Sequence, residues 1–125
     1  MPIINWSRIK KSFCFAGQGL AQAMSRENNF RVHLAIALLV VGAMIWLKVN
    51  RLEAAILLLL ISTILTLELV NTVVERFVDL LEPRVHTYVG LIKDLMAAAV
   101  LITSLAAAVI GLLILWPYLF PALGH

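Results

Sequence analysis

Three long apolar runs fill most of the chain, and a segment of different texture precedes them. Val32 to Val49 is apolar apart from His33 near its start and Lys48 near its end. A second run begins at Leu52, stays uncharged from Ala54 to Leu67, and continues to Leu81 punctuated by acids. The third, Leu95 to about Leu115, carries no charge and ends in Trp116-Pro117-Tyr118. A helix needs ~20 mostly apolar residues to cross a bilayer core. The runs therefore predict membrane helices over about 32–49, 53–81 (with an extension beyond the membrane) and 94–116. The segment over about 5–26 alternates instead with helical period. Trp6, Ile9, Phe13, Leu20 and Met24 share one face beside Gly17, while Arg8, Lys11, Gln18 and Gln22 share the other; Phe15 breaks the pattern. This reads as a surface helix lying in the membrane plane or packed on the bundle, two compatible descriptions.

Composition agrees with a lipid solvent. The chain has 125 residues, 62% of them apolar, and a mean hydropathy of +0.99. A water-soluble domain this small has too little interior to hide that surface. One domain is expected, with no internal repeat or linker. Cys14 is the single cysteine and excludes an intramolecular disulfide. The first apolar run starts too far in for a cleaved signal peptide, so the first membrane helix is expected to direct its own insertion.

The distribution of charge sets an expected orientation. With three spans, Arg8, Lys10, Lys11, Arg26, Arg31, Arg76, Arg84 and Lys93 share one side of the membrane, against Lys48 and Arg51 on the other. Basic residues stay cytoplasmic, so the N-terminus and the 82–93 loop are expected there and the C-terminus opposite. Glu82-Pro83 is expected to stop the long second helix. Trp46, Trp116 and Tyr118 suit aromatic anchors at one interface. The third helix is rich in alanine, with Ser104 and Gly111, which favours close packing. Three spans make a thin bundle, so a homo-oligomer is expected.

The second helix carries the chemistry. Glu68, Asn71, Glu75 and Asp79 follow one another at spacings of 3, 4 and 4. At 3.6 residues per turn they share one face, with Thr72 beside them, over about 16 Å of helix. Glu68 falls about 21 Å along from Ala54, near the cytoplasmic edge of the ~30 Å hydrocarbon core once tilt is allowed for. The stripe thus runs from the lipid carbonyl zone into water. A lipid alcohol presents its hydroxyl at that boundary, and a nucleotide arrives from the water side. A carboxylate at the boundary can take the hydroxyl proton, and carboxylates further out can hold Mg²⁺ against phosphates. The blander account, a solvated helix end paired with Arg76, Arg84 or Lys93, stays open for Asp79. It suits Glu68 poorly, because an ionisable group at that depth is costly.

Other positions have two readings each. Glu27 lies at the level of the stripe, or is a helix-end charge beside Arg26. Asp94 opens the third helix as an N-cap and Lys93 snorkels, or together they grip phosphate. His86 lies in the 82–93 loop as a surface histidine or a ligand, and His33 packs or faces headgroups. No GxxxxGK[ST], protein-kinase signature or GxSxG elbow occurs, the histidines and cysteine form no zinc pattern, and the basic residues need no nucleic acid to explain them.

The string Glu68-Leu69-Val70-Asn71-Thr72-Val73-Val74-Glu75-Arg76-Phe77-Val78-Asp79, then His86, then Lys93-Asp94-Leu95-Met96-Ala97-Ala98-Ala99-Val100, resembles the prokaryotic diacylglycerol kinase and undecaprenol kinase family. Glu27-Asn28-Asn29-Phe30-Arg31-Val32-His33 resembles the family's junction between surface helix and first span. The resemblance covers nearly the whole chain. It implies an all-α helical bundle in the bacterial inner membrane, a homotrimer with sites shared between chains, and MgATP-dependent phosphorylation of a lipid alcohol. By matching position, Glu68 resembles the general base, and Glu27 and Glu75 the metal-coordinating pair. Arg8, Phe15, Glu27, Glu75, His86, Lys93 and Asp94 resemble residues around the nucleotide. Arg8, Glu68 and Ala97 resemble residues along the lipid, and Asn71 and Asp79 residues that organise the site. Phe15 stands where some members have tyrosine, Gly17 where some have tryptophan, and Val73-Val74 is bulkier than the usual Ala-Ile. The Asn-Phe-Arg-x-His junction and Asn71-Thr72 look more like the undecaprenol kinase branch, with diacylglycerol as the alternative substrate. A small ion-coupled transporter needs a carboxylate near the midplane and usually four spans, and an accessory subunit leaves the shared-face acids unexplained.

Overall fold

A computed structural model describes residues 3–81 and 86–121, apart from the side chain of His86. Four helices follow in order: α1 Trp6–Arg26, α2 Asn28–Leu47, α3 Arg51–Leu81 and α4 His86–Leu119. The Asn5 side chain caps α1 by accepting from the Arg8 N–H at 3.2 Å. A single extended residue, Glu27 (φ −104°, ψ 106°), separates α1 from α2. The Arg31 guanidinium donates back to the carbonyls of Met24 and Ser25 at 3.4 and 3.5 Å, serving acceptors that the end of α1 leaves open.

α2 begins at Asn28, four residues before the apolar run, because helix geometry extends past the apolar stretch to the break at Glu27. It ends at Lys48, which takes a left-handed conformation at φ 54°. The Asn50 side chain then caps α3, accepting the Glu53 N–H at 2.9 Å. α4 also starts earlier than its apolar run predicts. His86 and Lys93 are helical, so the expected 82–93 loop is helix from His86 onward, and Asp94 sits two turns inside α4 and cannot be its N-cap. Thr87, Tyr88 and Lys93 are polar enough to hide the helix from an apolarity criterion, yet nothing between His86 and Lys93 breaks one. α4 also runs through Pro117, close to its end, before stopping at Leu119. The expected stop at Glu82-Pro83, and Arg84, lie outside the described residues.

α3 and α4 run antiparallel and are tied at both ends. Lys93 Nζ meets Asp79 Oδ1 at 2.8 Å, and the Tyr118 hydroxyl donates to Glu53. The interior is thin. On α2 the buried residues Phe30, Ala37 and Met44 recur every seventh position, the seam of a helix packed along a neighbour. Leu57, Glu68 and Val78 are buried on α3, and Val89 on α4. Large side chains such as Leu39, Trp46 and Leu113 are exposed. Three helices, Asn28–Leu47, Arg51–Leu81 and Thr87–Leu119, are long and apolar enough to cross a membrane, with mean hydropathies of 2.1, 2.1 and 2.7.

Candidate active site

The stripe on α3 is a gradient of burial. Glu68 is 4% exposed, Asn71 and Glu75 are half-buried, and Asp79 is exposed. Each member has a partner suited to its place. His33 Nδ1 of α2 lies 2.9 Å from Glu68 Oε1. Thr72 returns its hydroxyl to the Glu68 carbonyl at 3.0 Å. One turn out from Glu68, the Asn71 amide donates to Glu75 Oε1 at 3.3 Å. Asp79 meets Lys93 of α4, so the ion pair left open for Asp79 forms and ties α3 to α4.

Glu27 also reaches α3. Its Oε1 accepts from Arg76 Nη2 at 3.2 Å, across 49 positions of sequence. Its partner is therefore Arg76 rather than Arg26, and this places Glu27 at the level of Glu75. Among the described residues no three His, Cys, Asp or Glu side chains cluster tightly enough to hold a metal unaided. Two carboxylates, Glu27 and Glu75, are instead the kind of donor set that Mg²⁺ accepts when substrate phosphates complete its shell.

The structure does not bring every expected residue to this point within one chain. Arg8 and Phe15 are exposed on α1, whose one buried side chain is Ala23 near the far end. From Arg8 to Arg26 is about 27 Å of helix, and among the described residues the Arg8 guanidinium makes no ion pair. Asp94 and Ala97 are exposed on α4, with Lys93 beside them. The side chain of His86 lies outside the described residues.

One neighbour escaped the reading of the sequence. His33 was expected to pack or face headgroups, and instead it contacts Glu68. The signal was available in the hairpin: His33 lies 15 positions before Lys48 and Glu68 lies 17 after Arg51, so a tight turn puts them at one depth. The same histidine lines one end of a cavity of about 490 Å³ between α2, α3 and α4. Leu57, Leu65, Gly111 and Leu119 are among its walls, and Ser104 adds a buried hydroxyl with no hydrogen-bond partner among the described residues.

Among the described residues one buried acid heads a polar stripe in a bundle of membrane-length helices, an arrangement that suits a membrane enzyme. The family model of prokaryotic diacylglycerol kinase matches residues 14–115. The undecaprenol kinase of Bacillus subtilis (strain 168) is 36% identical over 113 residues, 90% of this chain and 92% of that relative. The diacylglycerol kinase of Synechocystis sp. is 34% identical over 107 residues, 85% of this chain and 61% of that relative. The diacylglycerol kinase of Escherichia coli (strain K12) is 29% identical over 113 residues, 90% of this chain and 93% of that relative. This chain belongs to the prokaryotic diacylglycerol kinase family. It is an integral membrane protein and a phosphotransferase with an alcohol acceptor, from a family of prokaryotic lipid kinases. The transporter and accessory-subunit readings are thereby set aside.

Proposed function

We propose that this protein transfers the γ-phosphate of MgATP to the hydroxyl of a membrane lipid alcohol, with undecaprenol favoured over diacylglycerol. The observation that carries the reading is the stripe itself: a carboxylate buried at one end, at Glu68, grading to exposed charge at Asp79. Glu68 accepts the hydroxyl proton as the alcohol oxygen bonds to the γ-phosphorus. The bond from that phosphorus to the bridging oxygen breaks, ADP leaves with the electron pair, and the proton returns to water. Phosphoryl transfer needs mainly positioning and charge neutralisation, so a short set of residues suffices. Glu27 and Glu75 are the residues that would hold Mg²⁺, which when bound neutralises charge on the phosphate oxygens. Lys93, Asp94, His86, Arg8 and Phe15 surround the nucleotide, Asn71 and Asp79 hold the acids in place, and Ala97 borders the lipid. The cavity ending at His33 takes a stretch of the lipid's chain, so that the hydroxyl emerges at Glu68.

Several observations favour undecaprenol. The Bacillus subtilis relative of that name is 36% identical over 113 residues, against 29% over 113 residues for the Escherichia coli (strain K12) diacylglycerol kinase. His33, in the junction that looks more like that branch, stands directly on Glu68. The excess of basic residues on one side supports a cytoplasmic N-terminus and outer stripe in a bacterial inner-membrane protein. The distance of Arg8 from the stripe within one chain supports a homotrimer in which a neighbour's α1 completes each site.

The test is the purified protein in detergent with γ-labelled ATP, offered undecaprenol and diacylglycerol separately. Labelled lipid from undecaprenol, in excess over diacylglycerol, is expected. A reversed preference selects the diacylglycerol kinase reading. No labelled lipid from either, with the protein folded, overturns the kinase reading.

A further inference from the structure

We infer that His33 is a positioning residue for Glu68: its Nδ1–H holds Oε1 of the carboxylate and leaves Oε2 directed to the substrate hydroxyl. This rests on the reading of Glu68 as proton acceptor. The two atoms stand 2.9 Å apart on different helices, and the Glu68 side chain is 5% exposed. Both atoms are buried, and neither is engaged by any other described residue; the pair is a close contact in which the ring N–H is not aligned on the oxygen, and a rotation of the ring would bring it there. An ionised carboxylate only accepts, and an unpaired one at this depth is costly. A ring nitrogen facing Oε1 gives the buried carboxylate a polar partner that can fix its orientation.

Among the described residues no other donor meets Oε1. On α3 the adjacent amide, Asn71, is engaged by Glu75. The cations further along the bundle are engaged too, Arg76 with Glu27 and Lys93 with Asp79. On α4 the Ser104 hydroxyl shares the cavity wall with His33 and makes no bond to Glu68. The other consequence is geometric. A carboxylate pinned through one oxygen loses rotational freedom, and alignment of the reacting groups is where much of a barrier is removed. His33 also lines the apolar cavity, so one residue meets the lipid's path on one side and the base on the other.

The experiment compares wild type with His33→Leu, His33→Asn and His33→Gln in the lipid-phosphorylation assay, measuring kcat and both KM values. In His33→Asn the amide nitrogen sits close to where Nδ1 stood; in His33→Gln it lies one carbon further out. Expected is a fall in kcat on the order of tenfold or more for His33→Leu, with KM for ATP within about twofold of wild type. His33→Asn should recover most of kcat and His33→Gln should not. Wild-type kcat in His33→Leu, or equal impairment of the Asn and Gln variants, overturns the proposal. If His33→Leu does not fold, the Asn–Gln comparison decides alone. A second measurement separates this proposal from the kinase reading. In ¹⁵N-histidine NMR of the membrane-reconstituted protein, the His33 signals, assigned by their loss in His33→Asn, should shift in Glu68→Gln. Shifted signals in a wild type that phosphorylates neither lipid would retain the pairing and sink the kinase reading. Unmoved signals overturn the pairing whatever the activity.

Discussion

The acids on α3 differ in what surrounds them, and each difference has a measurable consequence. Glu68 is buried, with His33 Nδ1 2.9 Å from its Oε1. Removing its charge while keeping its shape should stop chemistry but leave the water-side groups untouched. Glu68→Gln is expected to abolish turnover and to leave nucleotide affinity, measured by equilibrium binding, within about twofold. Loss of binding would move the base elsewhere. Glu75 is half-buried and oriented by Asn71. Glu75→Gln should raise the Mg²⁺ concentration needed for half-maximal rate, because a neutral amide is a weaker ligand for a hard cation. An unchanged magnesium titration would place the metal at other residues.

The helices set the depth at which these side chains work. α3 has 31 residues and is therefore about 46 Å long, well beyond a ~30 Å hydrocarbon core. One end must project, and in the proposed arrangement it is the end that carries the polar stripe. The other end is fixed by the turn after α2, where Lys48 adopts positive φ and Asn50 caps α3. That cap also anchors the hairpin register that brings His33 to Glu68. Asn50→Ala should lower stability by about 1 kcal/mol, the usual effect of losing an N-cap acceptor. Thermal unfolding in detergent would register it as a lower midpoint with kcat unchanged at low temperature.

As a body, the molecule is too thin to be finished by one chain in water. Its large apolar side chains mostly face outward, a disposition that lipid or further copies of the chain would tolerate. Arg8 stands apart from the stripe, on the exposed part of α1. If a neighbour's α1 completes each site, two defective chains should complement one another. Mixed oligomers of Arg8→Ala and Glu68→Gln are expected to show activity that neither homo-oligomer shows, and failure of complementation in verified mixed oligomers would confine the site to one chain. The cavity offers a separate check. A Cβ added at Gly111 meets nothing within 4 Å, so Gly111→Leu should fold and fill part of the space. It should raise KM for the lipid several-fold and leave KM for ATP unchanged, as removal of ground-state binding does. Equal effects on both substrates would exclude the cavity as the lipid's path.

Much of this was legible in the chain because the relevant signals are local. Apolar length is enough to announce three spans, and the spacing of Glu68, Asn71, Glu75 and Asp79 places them on one face wherever the helix lies. Helix ends were less legible. His86 to Lys93 is helical but not apolar, so reading the span misses the start of α4. The partners were the least legible part. Glu27 finds Arg76 at a separation of 49 positions, Tyr118 finds Glu53 across 65, and His33 finds Glu68 across a hairpin. Those pairings depend on the register and rotation of one helix against another, which follow from the turn at Lys48 and from packing along Phe30, Ala37 and Met44. Periodicity specifies which face of a helix a residue occupies; it takes a second helix, docked at one height, to specify what that face meets.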